Sequence, residues 1–288
     1  MKKQQREKWQ TKLDDLFHGL AGGFLFSAPL LFTMEIWVFG TVVTPPRLMA
    51  MLAVMLTIVF FMNLTAGFQK SSSGLSTAVA ETIEAVGIAL VSTAIVLFVF
   101  RRWTVETPLP EIVGKVIFAS FPFALGMSVA NHLLKGDRSK EGQEPGSEAT
   151  GIAPAAISAT VKNLGATVVG SLFLGLTVAP TEEIRVLAVE LSPPWLLAVM
   201  AMSLLVSYVI VFESDFAGRR RERQQLGAVQ RPSIETIASY LVSLLVAAAE
   251  LMLFAQLTPG DPWGVWLSSA VVLGFVTSIG GAAGRIAV

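Results

Sequence analysis

Two glutamates stand at matching places in a pattern that occurs twice. Thr33, Met34, Glu35 and Ile36 precede Pro45, Pro46, Leu48 and Ala50; Thr181, Glu182, Glu183 and Ile184 precede Pro193, Pro194, Leu196 and Ala198, each displaced by 148 positions. Each copy sets its acid inside a long apolar stretch. An ionised carboxylate in a hydrocarbon core costs at least about 2.5–3.5 kcal/mol even on the lenient insertion scale. Such a group therefore faces the bundle interior, finds a partner or holds a proton. Counting back about ten residues from each proline pair, at about 1.5 Å per residue, predicts Glu35 and Glu183 about 15 Å below the outer surface, near the midplane. The chemistry that suits such a pair is coordination of a hard cation or exchange of protons across a pseudo-twofold axis, with Thr33 and Thr181 adding hydroxyl oxygens. The competing reading is packing, with each glutamate protonated or hydrogen-bonded where helices meet.

Prolines flank both acids. Pro29 precedes Glu35 and Pro180 precedes Glu183, and each removes a backbone hydrogen bond and frees carbonyls that only protein or water can satisfy at that depth. A helix break beside an acid suits an ion site, and equally a kinked packing element. Glu182 and Arg185, three apart, are expected to pair on one helix face; their first-half counterparts are Met34 and Trp37, so that pair is private to the second half. Glu84 and Glu250 are secondary pathway candidates. Glu81 and Glu235 fall in first turns, where the helix dipole alone accounts for them.

The elements that must position these groups follow from composition. Of 288 residues, 53% are hydrophobic and 15% charged, and the apolar residues come in runs long enough to span a core of about 30 Å as helices. The fold class is an all-α membrane protein. With no net charge, nucleic acid is not indicated as a partner, and with no cysteine disulfides, thiolate metal sites and cysteine nucleophiles are excluded. No cofactor is implied beyond a bound hard cation, which oxygen-only ligands would favour.

Eight spans are predicted: 17–43, 47–67, 78–100, 111–134, a block over 154–191, 195–212, 233–257 and 263–286. The 154–191 block is too long for one crossing and is expected to break near Lys162, Asn163 and Gly165. Residues 1–16 read as a cytoplasmic or interfacial segment, 17–134 as a first four-helix repeat, 135–153 as a polar cytoplasmic linker and 154–288 as a second four-helix repeat. Glu81, Thr82 and Ile83 match Glu235, Thr236 and Ile237 at an offset of 154, while Leu125 and Gly126 match Leu273 and Gly274 at 148. An even number of spans per unit makes this a parallel repeat. With both termini inside, the cytoplasmic segments hold 16 Lys and Arg against four in outer loops, a strong positive-inside asymmetry. Glycines at 19, 22, 23, 170, 175, 280, 281 and 284 make small-residue faces for close helix packing, and a homo-oligomer is compatible with such faces.

The stretch GLAGGFLFSAPLLFTMEIW from Gly19 to Trp37 and VAPTEEI from Val178 to Ile184 resemble a bacterial family of integral membrane proteins of unknown function. The resemblance implies eight helices in a bacterial inner membrane and brings no activity with it. Glu182 and Glu183 also invite comparison with intramembrane glutamic proteases, but Arg185 comes too early for that pattern and no histidine follows His132, so an activating base for water is missing. The expectation is therefore a non-enzymatic membrane transport protein, an ion channel or secondary transporter for a cation or protons working within the lipid bilayer. A non-transporting scaffold or sensor, with the basic run Arg219 to Arg223 on anionic lipid, is the alternative.

Overall fold

In a computed structural model, residues 2–68, 75–137, 155–213 and 232–287 are described. Most of the 135–153 linker and the basic run Arg219 to Arg223 lie outside them. Every regular element among the described residues is helical: α1 (Lys2–Leu31), α2 (Met34–Val42), α3 (Pro45–Phe68), α4 (Leu75–Val99), α5 (Leu109–Asp137), α6 (Ala155–Gly175), α7 (Glu183–Glu190), α8 (Pro193–Tyr208) with a π-helical turn Val209–Glu213, α9 (Pro232–Leu253) and α10 (Trp263–Ala287). Six of these are long and apolar enough to cross a membrane: α3, α4, α5, α8, α9 and α10. The bent pair Asp15–Leu31 and Met34–Val42 makes a seventh if it is one span. The chain is a multi-pass integral membrane protein.

Local chemistry explains the boundaries. Pro45 opens α3 and Pro193 opens α8, where a missing N–H costs nothing and a fixed φ suits the first turn. α4 and α9 end alike: Arg102 N–H donates to Leu97 O and Gln256 N–H to Leu251 O, both at 2.8 Å, with Arg101 at φ 54° and Ala255 at φ 55°. This is the Schellman closure, made here without glycine.

The two predicted spans that carry a break-candidate proline, Pro29 or Pro180, are each interrupted near it. The 17–43 span turns by 85° after Leu31. The carbonyl this exposes is recovered, because the Trp37 indole N–H donates to Leu31 O at 2.9 Å. The 154–191 block runs unbroken past Lys162, Asn163 and Gly165 and stops at Gly175. Pro180 is the reason, since its ring would collide with the Leu176 carbonyl if the helix continued.

In the first half α5 packs on α1, α2, α3 and α4; in the second α10 packs on α6, α7, α8 and α9. Backbones cross closely where Gly22 meets Gly126 and Ala130, and again where Gly170 meets Gly280 and Gly284, with no room for a Cβ. These contacts correct the register read from sequence. Gly126 corresponds to Gly280, not Gly274, because the loops carrying Arg101 and Ala255 are equally long and the offset stays at 154 after α4 and α9 begin. The halves join through aromatic rings: Phe275 packs against Phe24, Phe32 and Phe100 at centroid distances of 6.4, 6.0 and 5.4 Å.

Candidate functional site

The 85° turn changes where the repeated acids lie. α2 runs across α1 instead of continuing it, so the rise along a helix no longer measures depth. Phe32 stacks edge-on against Phe100 at 4.9 Å, at the end of α4, and Trp37 lies under the Arg102 guanidinium at 4.7 Å. Glu35 is thus level with the end of α4, not near the midplane.

The two copies nevertheless meet. The Met34 N–H, the first amide of α2, donates to Glu183 Oε1 at 3.2 Å, so the second-half acid caps a first-half helix. Glu35 itself is exposed. The threonines act identically: Thr33 Oγ1 donates to Leu30 O at 2.7 Å and Thr181 Oγ1 to Val178 O at 2.8 Å, each closing the turn at its break. Pro29 lies inside the last turn of α1. The Pro180 carbonyl accepts from Gln256 Nε2 at 3.3 Å. The expected Glu182–Arg185 pair does not form. Glu182 occupies the N-cap position of α7 with an exposed side chain, and Arg185 instead approaches Asp261 at 4.0 Å.

A charged cluster ties the break helices to the α4–α5 loop. Arg102 lies over Trp37 and forms an ion pair with Glu190 at the end of α7, while its carbonyl accepts from Lys115 Nζ at 2.8 Å. Burial holds the Arg102 guanidinium below its ordinary value.

Of the secondary candidates, Glu84 is exposed on the outside of the bundle. Glu250 is the opposite, 1% exposed, with neither carboxyl oxygen in a hydrogen bond. It lies one turn before the end of α9, shallower than a span reaching 257 implies. Its oxygens face Gly175, where a Cβ would overlap them.

Below Glu250 the second half holds polar contacts that reading the acids alone misses. Ser171 and Ser243 share a 2.9 Å hydrogen bond, Ser171 donates to Thr277 O at 2.9 Å, and Thr277 Oγ1 donates to Ser243 O at 3.1 Å. Arg285 Nη1 donates to Ser239 Oγ at 3.0 Å and its Nη2 pairs with Glu235, which also accepts from Asn163 Nδ2 at 3.0 Å. Glu235, Ser239, Ser243 and Glu250 are four, four and seven apart, one face of a helix. That spacing was the available signal. The corresponding α4 positions are Glu81, Ala85, Ala89 and Val96, so the first half keeps only the first-turn acid of this face.

Residues 15–288 match the family described as integral membrane protein DUF2391. The chain belongs to that family. Its members are grouped as membrane proteins without an assigned function, in accord with the resemblance carried by the Gly19–Trp37 and Val178–Ile184 stretches. No curated protein and no solved structure matches the chain. Among the described residues no group of three or more His, Cys, Asp or Glu is placed to hold a metal ion.

Proposed function

We propose that this is a membrane transport protein, an ion channel or secondary transporter for a cation or protons, without catalytic chemistry of its own. The observation that carries it is Glu250: a carboxyl group 1% exposed with both oxygens unpartnered. An intramembrane acid so placed is costly to keep for packing alone and marks an ion or proton path by default. The spans supporting it number eight if α1 with α2 and α6 with α7 each make one broken crossing. The recurring Schellman ends and glycine crossings support two parallel four-span units. Both termini then lie in the cytoplasm of a bacterial inner membrane, as the basic residues favour.

A second reading has its own support. The Met34–Glu183 bond and the two threonine closures give Glu183, Thr33 and Thr181 structural work, as a scaffold or sensor would need. Flux in reconstituted vesicles separates the readings. Wild type should move protons or a cation, Glu250→Gln should reduce the rate at least tenfold, and the Glu35→Gln, Glu183→Gln double variant should reduce it less. Wild-type vesicles no leakier than protein-free ones would overturn transport.

A further inference from the structure

The surroundings of Glu250 narrow the ion. Its oxygens lie against the Cα of Gly175, where an added Cβ would come within 2.6 Å of Cδ and 2.7 Å of Oε1. No hydroxyl, amide or cation reaches either oxygen. Gly175 is the last residue of α6, so the carboxyl also meets the negative end of that helix. Both features disfavour a bare carboxylate.

A metal ion would relieve the charge, but among the described residues no group of three or more His, Cys, Asp or Glu is placed to hold one. Calcium takes about six to eight oxygens and magnesium about six, whereas the Glu250 side chain supplies two. The helices packed on α9 are α10, α6 and α8. Among described residues their charged groups are Arg285 on α10 and Lys162 on α6, both at far ends, while α8 has none and only Tyr208 as a titratable group. On α9 itself Glu235 and Tyr240 lie turns away; of the acids in the adjoining connections, Asp261 is held by Thr258 and Arg185, and Glu182, between α6 and α7, is exposed. A proton needs no coordination shell.

We propose that Glu250 is a proton-binding carboxyl and that the proton is the ion this protein handles, exchanged with the side where the 254–262 loop lies. The flux part rests on the transport reading; occupancy by a proton does not. Glu250 is one turn from that end of α9. Toward the other end buried Val246 and Ala247 separate it from Ser243, a buried step of about 10 Å at about 1.5 Å per residue. Binding adds H⁺ to one carboxylate oxygen and release returns it, with no other bond changed.

Two measurements on the full chain in phosphatidylcholine–phosphatidylglycerol bilayers test this. Infrared difference spectra at neutral pH should show a protonated-carboxyl C=O band that is absent from Glu250→Gln, retained in the Glu35→Gln, Glu183→Gln variant, and shifted in Gly175→Ala, whose methyl displaces the carboxyl. In vesicles a pH gradient should drive proton uptake that falls at least tenfold in Glu250→Gln, while Na⁺, K⁺ and Ca²⁺ gradients should drive none. Absence of the band in wild type, or its persistence in Glu250→Gln with no shift in Gly175→Ala, overturns the assignment. Metal-ion flux without proton uptake overturns the proton and leaves transport standing. A band without any flux overturns transport and leaves Glu250 as a protonated group.

Discussion

The Glu183 carboxylate accepts the Met34 N–H at 3.2 Å, so an acid from one half of the chain caps a helix in the other. Glu35 stands beside that amide but is exposed. Removing a capping acceptor costs about 0.5–2 kcal/mol, and partial exposure puts Glu183 in the lower part of that range. Glu183→Ala should lower the thermal midpoint in detergent, Glu183→Gln should lower it less because its amide oxygen still accepts, and Glu35→Ala should leave it unchanged. Equal losses for Glu35→Ala and Glu183→Ala would show that the bond does not set stability.

Arg102 joins three segments, packing on Trp37 in α2, pairing with Glu190 in α7 and offering its carbonyl to Lys115 in α5. Glu190 is 47% exposed on its side chain, and pairs with such exposure are worth about 0.2–1 kcal/mol. A cation over indole contributes about 0.5–1 kcal/mol, rising to about 2 when desolvated, and Arg102 is only 12% exposed. Double-mutant cycles should therefore give a larger coupling for Arg102→Ala with Trp37→Leu than for Arg102→Ala with Glu190→Ala. The reverse order would mean that the ion pair, not the ring, holds the two break helices together.

Asp261 gives a pH dependence of known sign. Its Oδ2 accepts the Thr258 N–H at 2.6 Å and Oγ1 at 2.8 Å, and Arg185 approaches Oδ1 at 4.0 Å. The Thr258 backbone bond first, then its side-chain bond, hold the carboxyl below its usual value against a smaller opposing effect of burial, with Arg185 adding in the same direction. A group depressed in the folded state stabilises fully above its unfolded value, about 3.9 for Asp, and loses that contribution as pH falls through the folded value. Wild type should thus lose thermal stability below about pH 4 more steeply than Asp261→Asn, and the two slopes should coincide at neutral pH. Parallel curves throughout the acid range would remove Asp261 as the cause.

How much was legible depends on whether a feature is local. The apolar runs of α3, α4, α5, α8, α9 and α10 follow from residue type and length, and these elements stand within a few residues of expectation, α3 and α8 each starting two residues early, at Pro45 and Pro193. A break near Pro29 was legible, but the 85° turn after Leu31 was not, because its direction is decided by Phe100 and by Trp37 reaching Leu31 O. That bend is why the depth of Glu35 came out wrong. Register failed for a related reason: Gly126 and Gly274 look alike in sequence, and only the Gly170–Gly280 crossing shows which glycine is equivalent. The repeat favoured Glu35 and Glu183 as the site, whereas Glu250 breaks the symmetry, standing where the first half has Val96. A search for what recurs ranks such a residue second, and only packing against Gly175 reveals its burial.

The helix end beside Glu250 allows a prediction of the opposite sign. Ala255 closes α9 at φ 55°, a left-handed conformation that costs an L-residue about 1–2 kcal/mol and glycine little. Its N–H donates to Met252 O at 3.0 Å and the next N–H to Leu251 O, so the backbone bonds need no side chain at 255. Ala255 is also exposed, and truncating it leaves no cavity. Ala255→Gly should therefore raise the thermal midpoint, by an amount equivalent to about 1 kcal/mol less whatever entropy glycine adds to the unfolded chain. Arg101→Gly relieves the same backbone at α4 but forfeits the guanidinium over Trp195 at 5.6 Å, so its gain should be smaller. Ala247→Gly, in the buried middle of α9, is the control and should destabilise by about 1 kcal/mol or more. If Ala255→Gly destabilises as Ala247→Gly does, the left-handed closure of α9 is absent in the membrane.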